Sequence, residues 1–228
     1  MRNAGFAIAG SGNRVAEARL ILIRHGETEW NLEGRIQGYH GDSRLTVNGE
    51  AQARQLAVRL TTEPVGALHA SDSGRARQTA APIAAALKMD VVFDSALRER
   101  DYGEFEGWTY LDLERKEPEA YRKFRSRDPE YAPPGGESSA RFRDRIIAAL
   151  ERVAAAAQGR HAAVVTHGGV LGIAYRRITG ASAETKRDYS LHNASINRIL
   201  VCGGRWSLEG WGDVAHLSGG SGDSIQGA

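Results

Sequence analysis

Leu20-Ile21-Leu22-Ile23-Arg24-His25-Gly26-Glu27-Thr28-Glu29-Trp30-Asn31 decides how the rest of the chain is read. Four apolar residues run together and stop at Arg-His-Gly. A short unbroken apolar run that ends near glycine is the pattern of a strand buried on both faces, as inside a parallel sheet. Residues just past such a strand lie at its carboxyl end, where open α/β sheets bind their ligands. Arg24 and His25 are therefore expected at the rim of a crevice. An arginine there offers a forked donor for phosphate or carboxylate, and a histidine offers a nucleophile or a proton carrier.

The same pattern returns at Ala162-Ala163-Val164-Val165-Thr166, which stops at His167-Gly168-Gly169. Between the two, Val65–His69 and Val91–Phe93 read as further strands. Helices are expected from a Thr46 cap through Leu60, from about Arg75 through Leu87, near Tyr110–Arg125, from a Ser138 cap through Val153, and over Val170–Thr179. The loop from Asn31 to Arg44 is polar and glycine-rich. Ser195–Cys202 and Arg205–Trp211 read as a closing strand pair around Gly203-Gly204. Strands alternating with helices imply an α/β fold, a three-layer α/β/α sandwich with a mainly parallel central sheet.

Residues 1–18 lack a period and are expected to form a loosely attached, flexible leader. Residues 218–228 read as a flexible tail, and 19–217 as one domain. A chain of 228 residues suits that assignment. A formal charge of +2 gives no general case for nucleic-acid or membrane binding. The single Cys202 excludes an internal disulfide, fits a reducing compartment and reads as a buried structural thiol. No apolar run approaches the ~20 residues of a membrane span. Phe6-Ala7-Ile8-Ala9 is too short for the core of a signal peptide. A cytoplasmic location is expected.

If both strand-end histidines belong to parallel strands of one sheet, they emerge on one rim. Ser71–Arg77 adds a strand end and a helix start, which itself favours anions, with Arg75 beside it. Two arginines, two histidines and helix-end amides on one crevice make an anion pocket, and a phosphoryl group fits it best. Taken singly, each has a plainer reading: a strand-end histidine is often only a hydrogen-bonding group, and a loop arginine is usually solvated. Spacing alone reaches an anion-binding α/β enzyme.

The run from Leu22 to Asn31 resembles the signature of the histidine phosphatase superfamily, which includes phosphoglycerate mutases and small-molecule phosphatases. The likeness continues through Gly34-Arg35-Ile36-Gln37-Gly38, Leu45–Gly49, Ala70–Ala80, Leu97-Arg98-Glu99-Arg100-Asp101-Tyr102-Gly103 and Thr166–Gly169. It covers roughly residues 19–217 and implies a phosphoglycerate mutase-like catalytic domain. It further implies that His25 is a nucleophile forming phosphohistidine, with its other ring nitrogen held by a backbone carbonyl. Arg24, Arg75 and His167 would bind the phosphoryl oxygens, and Asn31 would add an amide donor. Glu99 would protonate the leaving oxygen and then activate water. Gln37 and Gly168 are candidate phosphate or substrate contacts. No metal is called for, and the expected partner is a small phosphorylated metabolite. 2,3-Bisphosphoglycerate would be a cofactor only for a mutase.

Two departures refine the resemblance. The stretch between Gln37 and Leu45 is about one residue longer than the family pattern, and Arg44 stands where phosphatases often have proline; it is expected to face water. Tyr110 stands where mutases carry lysine, and the segment 107–136 is short and ends in Pro-Pro-Gly-Gly-Glu-Ser. Arg122, Lys123, Arg125 and Arg127 read as a solvated helix face. These features favour a phosphatase over a bisphosphoglycerate-dependent mutase. The reading from another class is a phospho-ligand sensor that binds without turnover. Trp108, Tyr110, Tyr121 and Phe124 either line the pocket or pack a lid over it. Substrate identity and oligomeric state stay open.

Overall fold

The structure, a computed structural model, describes residues 17–157, 159–182, 185 and 187–217. The first strand, β1 (Glu17–Arg24), takes in the last two residues of the expected leader. The rest of the leader and the tail from 218 lie outside the described residues. Ile21 and Ile23 face one side of the sheet and Leu20 and Leu22 the other, as the period of two requires, and all four are buried. Each fully buried side chain of this kind contributes about 1.5–3 kcal/mol.

Five more strands complete one sheet: β2 (Val65–Ala70), β3 (Val91–Phe93), β4 (His161–Thr166), β5 (Ile196–Cys202) and β6 (Arg205–Asp213). Their order is β3-β2-β4-β1-β5-β6. The first four run parallel, while β5 lies antiparallel to β1 and β6 antiparallel to β5. Cys202, at the hairpin end of β5, is half-buried rather than buried, because that strand end approaches the turn at Gly203 and Gly204.

Helices cover both faces. In chain order they are α1 (Glu29–Leu32), α2 (Val47–Leu60), α3 (Gly74–Leu87), α4 (Tyr110–Lys116), α5 (Pro118–Arg125), α6 (Ser139–Ala157) and α7 (Gly168–Thr179). Leu56 and Leu60 of α2 and Ile83 of α3 pack with Ile21 and Ile23. Ile146 and Leu150 of α6 and Leu171 of α7 pack with Leu20 and Leu22. The result is the expected three-layer α/β architecture with a mostly parallel sheet.

Two details depart from the periodicity. The one-turn α1 is too short to show a period; Thr28 caps it, accepting from Asn31 N–H while its own N–H donates to Asn31 Oδ1. The single helix expected over 110–125 is two, because Pro118 lacks an N–H and disfavours helical geometry at Glu117. With Ile36 and Phe105, these two short helices bury a small separate core around Leu113, above the carboxyl rim of the sheet.

Candidate active site

Arg24 pairs with Thr166 across β1 and β4, so His25 and His167 leave the sheet at the same level. The His25 N–H donates to the Thr166 carbonyl at 2.9 Å and pins that level. The two imidazoles lie 5.4 Å apart between centroids. They stand beside a cavity of about 1150 Å³. Arg24, His25, Asn31, Gln37, Arg75, Glu99 and Gly168 line it. His167 is fully buried and sits behind His25 rather than on the cavity wall.

His25 Nδ1 lies 2.8 Å from the Gly26 carbonyl. A carbonyl only accepts, so Nδ1 carries the proton and Nε2 keeps its lone pair. Burial first, then the charges of Arg75 and Arg24, holds the His25 pKa well below its ordinary value. The ring is therefore neutral at neutral pH. Gly26 is itself fixed, its N–H donating to Thr79 Oγ1 at 3.0 Å. Asn193 closes the frame from the other side: its Nδ2 donates to the His25 carbonyl and to Asn31 Oδ1, each at 3.1 Å. With Oδ1 occupied by Thr28 and Asn193, the donor end of the Asn31 amide is the one left for a ligand.

Glu99 is buried, which pushes its carboxyl pKa up. One oxygen accepts from Arg100 N–H at 2.8 Å and the other from Gly169 N–H at 2.7 Å. The carboxyl is thus tied to the first turn of α7, which begins one residue past His167. Arg145 of α6 fixes the chain beneath it, donating to the Ala96, Arg98 and Glu99 carbonyls at 3.0–3.1 Å and pairing with Glu137.

His167 Nε2 meets Ser71 Oγ at 2.8 Å, and its Nδ1 is buried with no hydrogen-bond partner. Burial, Arg75 and His25 keep its pKa well below the ordinary value too. Arg24 Nη1 donates to the Leu191 carbonyl. Arg75 is buried in the second position of α3, and its guanidinium grips the loop after Gln37: Nη2 donates to Gly38 O at 3.0 Å, and Nη1 to Gly41 O and Asp42 Oδ1 at 3.1 Å. Glu106 holds the same loop, accepting from the Tyr39, His40 and Gly41 N–H groups. These ties set the loop's register. Gln37 reaches the cavity wall with its amide nitrogen committed to Thr28 Oγ1 at 2.6 Å, so its donor faces away from a ligand and its buried oxygen has no partner. Arg44 is exposed.

Of the four basic residues read as a solvated face, Arg122, Lys123 and Arg125 are exposed, Arg125 also edging the cavity, whereas Arg127 is half-buried and lines it. Helical spacing did not place Arg127 there because α5 ends at Arg125, and Arg127 follows in a left-handed turn with φ 60°. Tyr110 and Phe124 both line the cavity and pack the small core, whereas Trp108 and Tyr121 only pack it. Sequence reasoning missed Asn193, Arg145 and Glu106. Each acts through contacts distant in sequence, and no local pattern marks it. Among the described residues, no group of three His, Cys, Asp or Glu side chains is placed to hold a metal ion. No described helix is long and apolar enough to cross a membrane.

The family model for the histidine phosphatase superfamily (branch 1) matches residues 20–214. A metal-independent phosphoserine phosphatase from Arabidopsis thaliana is 42% identical over 203 residues, covering 87% of this chain and 83% of that protein. A probable phosphoglycerate mutase, GpmB, from Salmonella choleraesuis is 38% identical over 213 residues, covering 91% and 99%. Among solved structures, a phosphoserine phosphatase from Entamoeba histolytica in complex with 3-phosphoglyceric acid superposes with a TM-score of 0.77 at 28% identity, covering 88% of this chain and 99% of that one.

Proposed function

The chain belongs to the histidine phosphatase superfamily, branch 1, and is an enzyme; from that premise we propose that it hydrolyses a phosphate monoester through a phosphohistidine on His25. The observation that carries this reading is the tautomer of His25. Its Nδ1–H is spent on the Gly26 carbonyl, leaving a neutral ring whose Nε2 lone pair is available at the cavity.

In the first step Nε2 forms a bond to phosphorus while the bond to the ester oxygen breaks. The departing electron pair goes to that oxygen, which takes a proton from Glu99. Burial favours the protonated carboxyl that this requires. Arg24 and Arg75 line the cavity at the position of the transferred group and offset its charge, the Asn31 amide adds a donor, and His167, neutral and buried, backs His25 from behind. For Arg75 this means sharing its guanidinium between ligand and the Gly38–Asp42 loop. In the second step Glu99, now a carboxylate, takes a proton from water. The water oxygen bonds to phosphorus and the P–N bond breaks, its pair returning to Nε2. Arginine charge does the neutralising, so no metal enters the scheme, in keeping with the metal-independent phosphatase among the relatives. The short lid over 107–136 supports hydrolysis over mutation, since a mutase must keep its intermediate from water.

Phosphate release from a panel of monoesters in EDTA, with His25→Ala alongside, tests this. Release that survives EDTA and is abolished in His25→Ala is expected. Interconversion of phosphoglycerates with little phosphate release would make the enzyme a mutase instead, and binding without turnover would make it a sensor.

A further inference from the structure

Ten arginines line the cavity against two carboxylates, Glu33 and Glu99. The whole chain carries only +2, so positive charge is concentrated in this one place. Arg24 and Arg75 account for the phosphoryl end. Arg176, Arg177, Arg127 and Arg187 do not belong to it.

Helix α7 relates the two ends. Gly168, Gly169, Gly172, Ile173, Arg176 and Arg177 all line the cavity. They recur at i, i+4 and i+8, which is one continuous face of a helix. Its first turn meets Glu99. Arg176 and Arg177, eight and nine residues on, sit about 12 Å further along at the helical rise per residue. Two of the glycines let other side chains come close: a Cβ on Gly169 would stand 2.1 Å from Glu99 Oε1, and one on Gly172 3.1 Å from the Tyr189 hydroxyl. Ile173, with Phe142 and Ile147 of α6 and Tyr189, lines the cavity with apolar surface.

The distal arginines are built in. Arg176 donates to the Ser182 and Thr185 carbonyls, and Arg127 donates to the same Thr185 carbonyl at 3.1 Å. Carbonyls orient a guanidinium without neutralising it. Neither Arg176 nor Arg177 pairs with a carboxylate among the described residues. At about 1150 Å³, the cavity is at or above the upper end of small-ligand pockets, roughly 300–1,000 Å³. A three-carbon phosphate would leave most of it unfilled.

We infer that the preferred substrate is an elongated phosphomonoester bearing a second anionic group at its far end, received by Arg176 and Arg177 at the carboxyl end of α7. This rests on the hydrolase reading above and names the substrate class it leaves open.

The test compares kcat/KM for alkanediol bisphosphates of increasing length with alkyl monophosphates of the same length. ω-Carboxyalkyl phosphates form a third arm. At the chain length that spans the two ends, a gain of about tenfold or more over the matched monophosphate is expected, the scale of one charge-assisted contact. A gain in both anionic series assigns a general anion subsite, and a gain in the bisphosphates alone assigns a phosphate subsite. Arg177→Gln, at an exposed position of the last helical turn, should lower the bisphosphate-to-monophosphate ratio about tenfold. Arg177→Lys should restore part of it. Equal kcat/KM at every length, or a gain that Arg177→Gln leaves in place, overturns the inference. If no monoester is turned over, the hydrolase reading fails instead. Calorimetric titration of the same compounds then decides the subsite: tighter binding of the bisphosphate, lost in Arg177→Gln, retains it, and equal affinities remove it.

Discussion

Glu99 and His25 show how one burial site sets opposite protonation preferences in two neighbours. Removing charge from water favours the neutral form of each: the unprotonated ring of His25 and the protonated carboxyl of Glu99. That is the pair of states a first phosphoryl transfer needs. The sign of the pH dependence follows. In the proposed mechanism, protonation of His25 below its lowered pKa removes the nucleophile, and ionisation of Glu99 above its raised pKa removes the acid. kcat/KM for an alkyl phosphate should therefore decline on the alkaline side as Glu99 ionises. Glu99→Gln should lower it by about 10²–10⁴-fold and abolish that decline. With p-nitrophenyl phosphate, whose leaving group needs little help from an acid, the loss in kcat/KM should be smaller. An equal loss on both substrates would argue that Glu99 binds rather than donates.

Short elements carry the placement. The first turn of α7 holds Glu99 through the Gly169 N–H, and a Cβ on Gly169 would come within 2.1 Å of a Glu99 oxygen. Gly169→Ala should keep the fold, because the position lies at a helix start beside a cavity, yet it should push the carboxyl out of place. A kcat about 10²-fold lower, within the range of general-acid loss, with a cooperative melting transition retained, is the expected result. Unchanged kcat would show that the carboxyl needs no such anchor. At this scale the sequence was most readable where one residue's neighbours in sequence are also its neighbours in space. Leu20–Ile23 and Ala162–Thr166 announce buried strands, and their terminal histidines follow automatically. Thr46 marks its helix start for the same reason, accepting from Gly49 N–H. Asn193 and Arg145 were silent: one braces His25 from 168 residues away, the other supports the Glu99 backbone from 46. Arg127 misled because it lies past the end of α5, where helical spacing no longer places a side chain. The loop at 38–42 took its register from Arg75 and Glu106, which no turn signal could supply.

The whole molecule is arranged to bring strand ends together. Parallel pairing of β1 with β4 and of β4 with β2 delivers His25, His167 and the Ser71–Arg75 turn to one rim. The lid of α4 and α5 then roofs that rim with a core of its own. A nearly neutral chain places ten arginines on the resulting cavity, so the fold concentrates charge that composition alone conceals. At this scale the account stands or falls on covalent chemistry at His25. The most direct measurement is to mix Glu99→Gln enzyme with p-nitrophenyl phosphate, whose leaving group needs little help from an acid, and quench in alkali, where phosphohistidine survives. Peptide mass spectrometry then locates the added phosphoryl group. The account predicts one group on His25, accumulating because the water-activating carboxylate is gone, and none in enzyme that also carries His25→Ala. Label on another residue, or turnover that persists in His25→Ala without any labelled histidine, would contradict it.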